Sequence, residues 1–418
     1  MALVAAPHPA PRHPPCLTGP PSLGRRPEQH PRRNRTTPAR VWGLDEPRPR
    51  PLDNPLRLTV NIVSHELRPL RWSLTPATRN AHGQWTERCG LELRVEDEEG
   101  RVGLGEASPL PGYSPDTLQE AEAAISALSA KTWAALASQG ASVGGVSSWL
   151  DSLGPLPPSA RCALETALLD LLGQRSAQPI WSLLAQSHAA PSAVPLTCLL
   201  SPTEPESAIE QGREALEGGI QALKVKLGTQ SHADDLSFLE RLRGDLGHTF
   251  QLRLDANRSW GHDLVAERLS DLEPFAPQFL EEPLRDGPLS IALDSPIPLA
   301  LDESLQEEPV RDQLERVLEQ GCWSAVVLKP MALGGLLPCL ELAERAYKVQ
   351  VKSCVSHTWG HHIAQTANRH LALALPAPLA CAIGPLPEDH RPQDQANAPQ
   401  SHIHPQDQPG LGWHMPRT

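Results

Sequence analysis

No apolar run in this 418-residue chain approaches the roughly 18 residues that a membrane-crossing helix needs, so a membrane-spanning helix is excluded. No two of its eight cysteines are spaced CxxC, which removes a zinc knuckle and a thioredoxin-type redox pair. Several cysteines stand in apolar context, such as Cys162 in RCALETALLDLL, and read as buried reduced thiols of a cytoplasmic protein. Tyrosine and phenylalanine are scarce, 2 and 4 residues beside 10 tryptophans. The tryptophans read as core and helix-face packing, with no base-stacking platform implied. Basic charge is short as well: 37 Lys and Arg face 49 Asp and Glu, for a net −12. Such a chain is a poor general binder of nucleic acid.

Proline is abundant, 45 residues and about twice the usual share. Twelve of these lie in the first 50 residues, with nine Arg, no Lys and three acids, so that this segment carries +6 and the rest −18. It cannot bury enough apolar surface to offset its ordering entropy, and residues 1–51 are expected to be a disordered Pro/Arg-rich tail. A dispensable tail or a misplaced start codon is the first expectation for it, ahead of an interaction arm or a targeting signal.

Residues 56–106 alternate in a strand-like way, with an expected turn at Glu99–Gly100. The polar stretch TPATRNAHGQWTERCG between the strand patterns is expected to be a loop. One helix is expected over 115–139 with Asp116 as its N-cap, a second up to Gly173, and a shorter one after it. Strands followed by helices make residues 52–190 an α+β domain. From 191 to 385 the texture changes to short apolar strands alternating with amphipathic helices. The strands are VPLTCLL, ALKVKLG, FQLRLDAN, PQFLEEP, IPLALDES, SAVVLKP and KVQVKSC. Seven such units argue a (β/α) barrel, and no Gly-rich phosphate turn supports the open doubly wound alternative. Residues 386–418 are expected to be an irregular C-terminal segment, with a return to the first domain left open.

In such a barrel the catalytic groups project from the C-terminal strand ends. Five successive strands end here in ionisable residues: Lys224 and Lys226; Arg253 and Asp255; Glu281 and Glu282; Asp302 and Glu303; Lys329. Strand period 2 puts Lys224 with Lys226, and Arg253 with Asp255 and Asn257. Asp255, Glu281 and Asp302 then converge, and three carboxylates stay ionised together only beside a cation. All-oxygen ligation suits Mg²⁺, with Mn²⁺ as the alternative. Glu282 and Glu303 should face away and support the ligands from behind. Lysines on both sides suit proton transfer. The composite is proton abstraction α to a carboxylate through a metal-stabilised enediolate.

The order Lys-x-Lys, LDAN, EEP, DES, Lys-Pro resembles the muconate-lactonizing-enzyme subgroup of the enolase superfamily. GEASPLPGYSPDTLQEA, ARCALETALLDLLGQ, HGQWTERCGLELRV and the closing PGLGW are similar to the o-succinylbenzoate synthase family. The resemblance implies an α/β fold: a modified TIM barrel, (β/α)₇β, with an N-terminal α+β capping domain. It implies Lys226 as the base, Lys224 as its orienting neighbour, and Lys329 as the cation opposite that stabilises the enediolate. It further implies Asp255, Glu281 and Asp302 as Mg²⁺ ligands, with Arg253 and Asn257 in support. The loops at 79–88 and 109–113 would close over the substrate.

The family's Ser-Ser, then Glu-Thr pattern after the seventh strand is altered here to KSCVSHTWGHHIA. Ser353 fits the first Ser and Thr358 the Thr, with His357 where Glu belongs. His357 and His361 are expected on the surface or in a loop, ahead of a substrate contact or a metal pair. The implied activity is that of a lyase on a small carboxylate substrate. It would dehydrate 2-succinyl-6-hydroxy-2,4-cyclohexadiene-1-carboxylate to o-succinylbenzoate in menaquinone or phylloquinone biosynthesis. N-succinylamino-acid racemase or dipeptide epimerase is the alternative enzyme, and a non-catalytic barrel acting as a binding protein is the alternative of another class.

Overall fold

A computed structural model describes residues 60–80, 83–185, 193–289, 294–320, 322–384 and 400–412. The expected tail at 1–51 lies outside them. Three antiparallel strands, Ile62–Asn80, Gly83–Asp97 and Val102–Ala107, form the first sheet in chain order. The expected turn at Glu99–Gly100 joins the last two. The stretch expected to be a loop is a continuation of the first hairpin. Thr78 pairs with Trp85 and Asn80 with Gly83, past a register shift between Ser73 and Thr78. A strand ladder is made by backbone hydrogen bonds, so a polar stretch without hydrophobic alternation can form it.

The single helix expected over 115–139 is two, Leu118–Ser126 and Ala130–Gln139. Thr117 forms a capping box with Glu120, and Ser129 caps the second helix, so the break is written in local capping chemistry. Asp116 is not the cap. Its buried carboxylate accepts from Ser159 N at 3.0 Å and from Ser159 Oγ, at the start of helix Pro158–Ser176. That helix lies hard against Val102–Ala107. A Cβ on Gly105 would meet the carbonyl oxygen of Ala163 at 2.0 Å, so glycine is required for the approach. Leu93, Val95, Trp149, Leu164 and Leu168 pack the capping core.

The second sheet is seven-stranded and parallel, running in sequence order from Thr197–Leu200 to Lys352–Val355. Its strands are apolar on both faces because helices cover one side and the lumen fills the other. Leu252, Leu254, Phe279, Leu299 and Val326 are fully buried, each contributing about 1.5–3 kcal/mol by burial. The seventh strand begins four residues later than expected. Helix Leu336–Lys348 absorbs the start of KVQVKSC by burying Leu342, Ala343 and Ala346 on its inner face. Closure is by Cys381 and Ala382, which bridge to Leu196 and Ser356. The structure is thus the expected modified barrel with an N-terminal capping domain. His402–Ile403 pairs with Val194–Pro195, and Leu411 N donates to Asp170, so residues 400–412 pack where the capping helices meet the barrel. Among the described residues, no helix is long and apolar enough to cross a membrane.

Candidate active site

Register builds the site. Lys224 pairs with Arg253, Lys226 with Asp255, and Asp255 with Glu281, so their side chains share the luminal face. Asp302 follows strand Leu299–Leu301, and Lys329 follows strand Trp323–Leu328. Ligand oxygens of Asp255, Glu281 and Asp302 lie within 4.8 Å of one another, and all three residues are at least 98% buried. The donor set is all oxygen. Positive charge is drawn into it: Lys224 Nζ lies 2.8 Å from Asp255 and 2.5 Å from Glu281, and Lys329 Nζ lies 2.5 Å from Asp302. These residues therefore fit a hard divalent cation such as Mg²⁺ or Mn²⁺.

The three lysines differ. Burial works against the ammonium of Lys224, yet Asp255 and Glu281 hold its pKa above that of a free lysine. Asp302 and Glu303 do the same for Lys329. Lys226 makes no ion pair among the described residues. Its Nζ stands 5.0 Å above the ring of Trp359, and burial, against Asp255 and with Lys224 and Lys329 nearby, lowers its pKa. Burial raises Glu281 to about 7 and, with Asp302 beside it, Glu303 to about 8.

Of the two carboxylates expected to face away, Glu282 does so, whereas Glu303 stands near Asp302 and Lys329 at the site. Glu282 has a left-handed backbone, φ 40°, and turns away from the lumen. Its carboxylate accepts from Asp302 N at 2.7 Å, Ser304 N at 2.8 Å and Arg258 Nε at 3.2 Å. Asn257, also left-handed, donates its amide N–H to Asp255 Oδ1 at 3.0 Å and its side chain to Glu303 at 3.1 Å.

Two expected supports are elsewhere. Arg253 lies one layer below the carboxylates and spends its guanidinium on Thr197, Gln278 and the carbonyl of Ala380, tying the barrel closure to its walls. Ser353 pairs with Val326, whereas Cys354 pairs with Val327, which shares the face of Lys329. Ser353 therefore turns toward the helices, and Cys354 and Ser356 face the lumen. The same period-2 rule that sorted the lysines assigns this, whereas the motif match did not.

His357 is half-buried. Burial and the three lysines push its pKa down to about 3, and its Nδ1 accepts from Trp359 N at 2.9 Å. It is a loop residue as expected, turned toward the site rather than the surface. His361 is the N-cap of helix His362–Ala374, so it does not stand one helical turn from His357.

The capping domain adds residues that the sequence did not single out. Tyr113 Oη donates to Asp302 Oδ1 at 3.0 Å and accepts from Lys329 Nζ at 2.9 Å. Trp85 stacks on Trp359, with ring centroids 5.8 Å apart. Arg88, 2% exposed, donates to the carbonyls of Ser108, Pro109 and Thr358, joining two loops over the barrel mouth. Glu106 accepts from His361 N at 2.7 Å and Ala364 N at 2.9 Å, fixing the start of the helix behind Trp359. The tyrosine's rarity and its place in PLPGY were the only signals in the sequence.

Residues 207–417 match the family described as enolase C-terminal domain-like, and residues 62–185 match the mandelate racemase / muconate lactonizing enzyme N-terminal domain. The chain is 30% identical to the o-succinylbenzoate synthase of Yersinia enterocolitica over 284 residues, 66% of this chain and 75% of that one. It is 24% identical to the N-succinyl-L-Arg/Lys racemase of Bacillus cereus over 302 residues, 70% of this chain and 79% of that one. The structure is similar to that of the dipeptide epimerase from Enterococcus faecalis, with a TM-score of 0.72 at 20% identity, covering 84% of this chain and 99% of that one. With both of its parts matched in order, the chain belongs to the enolase superfamily.

Proposed function

We propose that this chain is a carbon–oxygen lyase that dehydrates 2-succinyl-6-hydroxy-2,4-cyclohexadiene-1-carboxylate to o-succinylbenzoate, serving menaquinone or phylloquinone biosynthesis in the cytoplasm. The observation that carries the reading is the inequality of the lysines. Lys224 and Lys329 are held by carboxylates, and Lys226 is left over an aromatic ring with a lowered pKa. A general base needs an accessible lone pair, and among the three only Lys226 is not committed to an ion pair.

Lys226 takes the proton α to the substrate carboxylate. The C–O bond to the ring hydroxyl then breaks, and the same side chain returns the proton to the departing oxygen. One water leaves and the ring becomes aromatic. Lys329 faces the developing enediolate charge, and Lys224 orients Lys226 through their shared strand face. Asp255, Glu281 and Asp302 would hold Mg²⁺ or Mn²⁺. When bound, that cation supplies positive charge against which a substrate carboxylate can accept further negative charge. The capping part at 52–190 closes the barrel at 191–385 and excludes water.

The synthase assignment is supported by GEASPLPGY and by the 30% identity to the Yersinia enzyme. Unpaired thiols at all seven described cysteines agree with a reducing compartment. A racemase or dipeptide epimerase is the second reading, favoured by the 24% identity to the Bacillus racemase and by lysines on two sides of the acidic cluster. Assay of both reactions separates them. Turnover of N-succinylamino acids without dehydration of the cyclohexadiene would overturn the synthase assignment.

A further inference from the structure

We propose that Tyr113 is a positioning residue for the candidate metal site, coupling closure of the 109–114 loop to the affinity of Asp302 for a divalent cation. The proposal rests on the reading of Asp255, Glu281 and Asp302 as a metal site.

The loop is built to deliver this side chain. Leu110, 1% exposed, anchors its start, and Arg88 holds the carbonyl of Pro109 at 3.0 Å. Ser114 Oγ accepts from Leu110 N, while the amides of Tyr113 and Ser114 donate to Leu110 O at 3.0 and 2.9 Å. Gly112 takes φ +77°, which reverses the chain and aims Tyr113 down at the strand ends. The phenol oxygen then works in both directions. It donates to Asp302 Oδ1 and accepts from Lys329 Nζ, whose ammonium also lies 4.3 Å from the ring centroid. One hydroxyl therefore fixes the rotation of the Asp302 carboxylate and offers Lys329 a neutral acceptor in place of that carboxylate. A group that orients a ligand in this way typically governs metal affinity by ten-fold or more. By reciprocity, a bound cation must hold the loop down by the same factor.

The test is Mn²⁺ binding to the full chain, read from the electron paramagnetic resonance of free Mn²⁺, for the parent and for Tyr113→Phe. The phenylalanine variant should bind Mn²⁺ about ten-fold more weakly. In the parent, Mn²⁺ should also slow hydrogen exchange at the amides of Tyr113 and Ser114, and this slowing should be lost in the variant. Equal affinities would overturn the proposal. So would an absence of slowing in the parent, which needs no variant to fold. A parent that binds no Mn²⁺ would instead remove the metal site itself, a failure of the earlier reading that is distinct from equal binding.

Discussion

Glu282 holds Asp302 by its backbone: the amide of Asp302 donates to Glu282 Oε1 at 2.7 Å. The same carboxylate accepts from Ser304 N, Ser304 Oγ and Arg258 Nε while only 1% exposed. Glu282→Ala should destabilise the fold by about 2–3 kcal/mol, because it leaves the buried amides of Asp302 and Ser304 without an acceptor, while the half-buried Arg258 keeps its ion pair to Glu307. Glu282→Gln keeps an oxygen toward both amides and should cost about half as much. Urea unfolding of both variants measures the difference. An alanine variant as stable as the parent would show that this carboxylate does not anchor the Asp302 turn.

Lys226→Ala should lower turnover by about 10²–10⁴-fold or more, the usual contribution of a general base. The fold should survive, since Lys226 makes no ion pair among the described residues and the Trp85–Trp359 stack does not depend on it. Steady-state assay with a circular dichroism control tests this. Undiminished turnover would assign proton abstraction elsewhere.

Much of the barrel and its site is legible in the sequence for one physical reason. A parallel strand buried on both faces is a short apolar run, and its luminal end must be polar where chemistry is done. FQLRLDAN and PQFLEEP state both facts within eight residues. Period 2 then assigns Asp255 to the lumen and Glu282 to the wall. The same rule assigns Cys354 and Ser356 to the lumen, and only a motif match favoured Ser353. The long-range contacts were not legible. Tyr113 and Asp302 are 189 residues apart, and no local pattern encodes their hydrogen bond. Trp85 and Trp359 meet across two domains for the same reason. The pairing of Thr78 with Trp85 and of Asn80 with Gly83 was missed because TPATRNAHGQWTERCG carries no hydrophobic alternation.

Stability should fall with acid through His370. This histidine is fully buried, with Nδ1 accepting from Trp181 N at 3.1 Å and Nε2 held 2.8 Å from the carbonyl of Leu411. That arrangement requires the neutral ring, and burial pushes its pKa down to about 3 from the ordinary 6.5. Between these values the unfolded chain binds the extra proton. The contribution is therefore intact above pH 6.5 and is lost progressively as pH falls toward 3, by up to about 1.4 kcal/mol per unit. His357, lowered to about 3 as well, acts with the same sign. Urea midpoints at pH 7 and pH 5 should differ less in His370→Gln than in the parent. Identical slopes would assign the acid sensitivity to other groups.

Chelation should silence the enzyme without unfolding it. If Asp255, Glu281 and Asp302 hold the cation, its removal leaves three buried carboxylates, normally a large electrostatic cost. Here Lys224 already lies against Asp255 and Glu281, and Lys329 against Asp302, so the ammonium groups neutralise the cluster when the cation leaves. Excess chelator is expected to abolish turnover and to leave the far-ultraviolet circular dichroism unchanged, with Mg²⁺ or Mn²⁺ restoring activity. The unfolding free energy should rise with added Mn²⁺ only as mass action requires, by RT ln(1 + [L]/Kd) at each concentration, with the melting temperature following. Lys224→Met removes part of the internal neutralisation and should make the metal-free protein markedly less stable than its Mn²⁺-loaded form. Full activity in excess chelator would refute the metal site. A parent that unfolds on chelation would show that the lysines do not stand in for the cation.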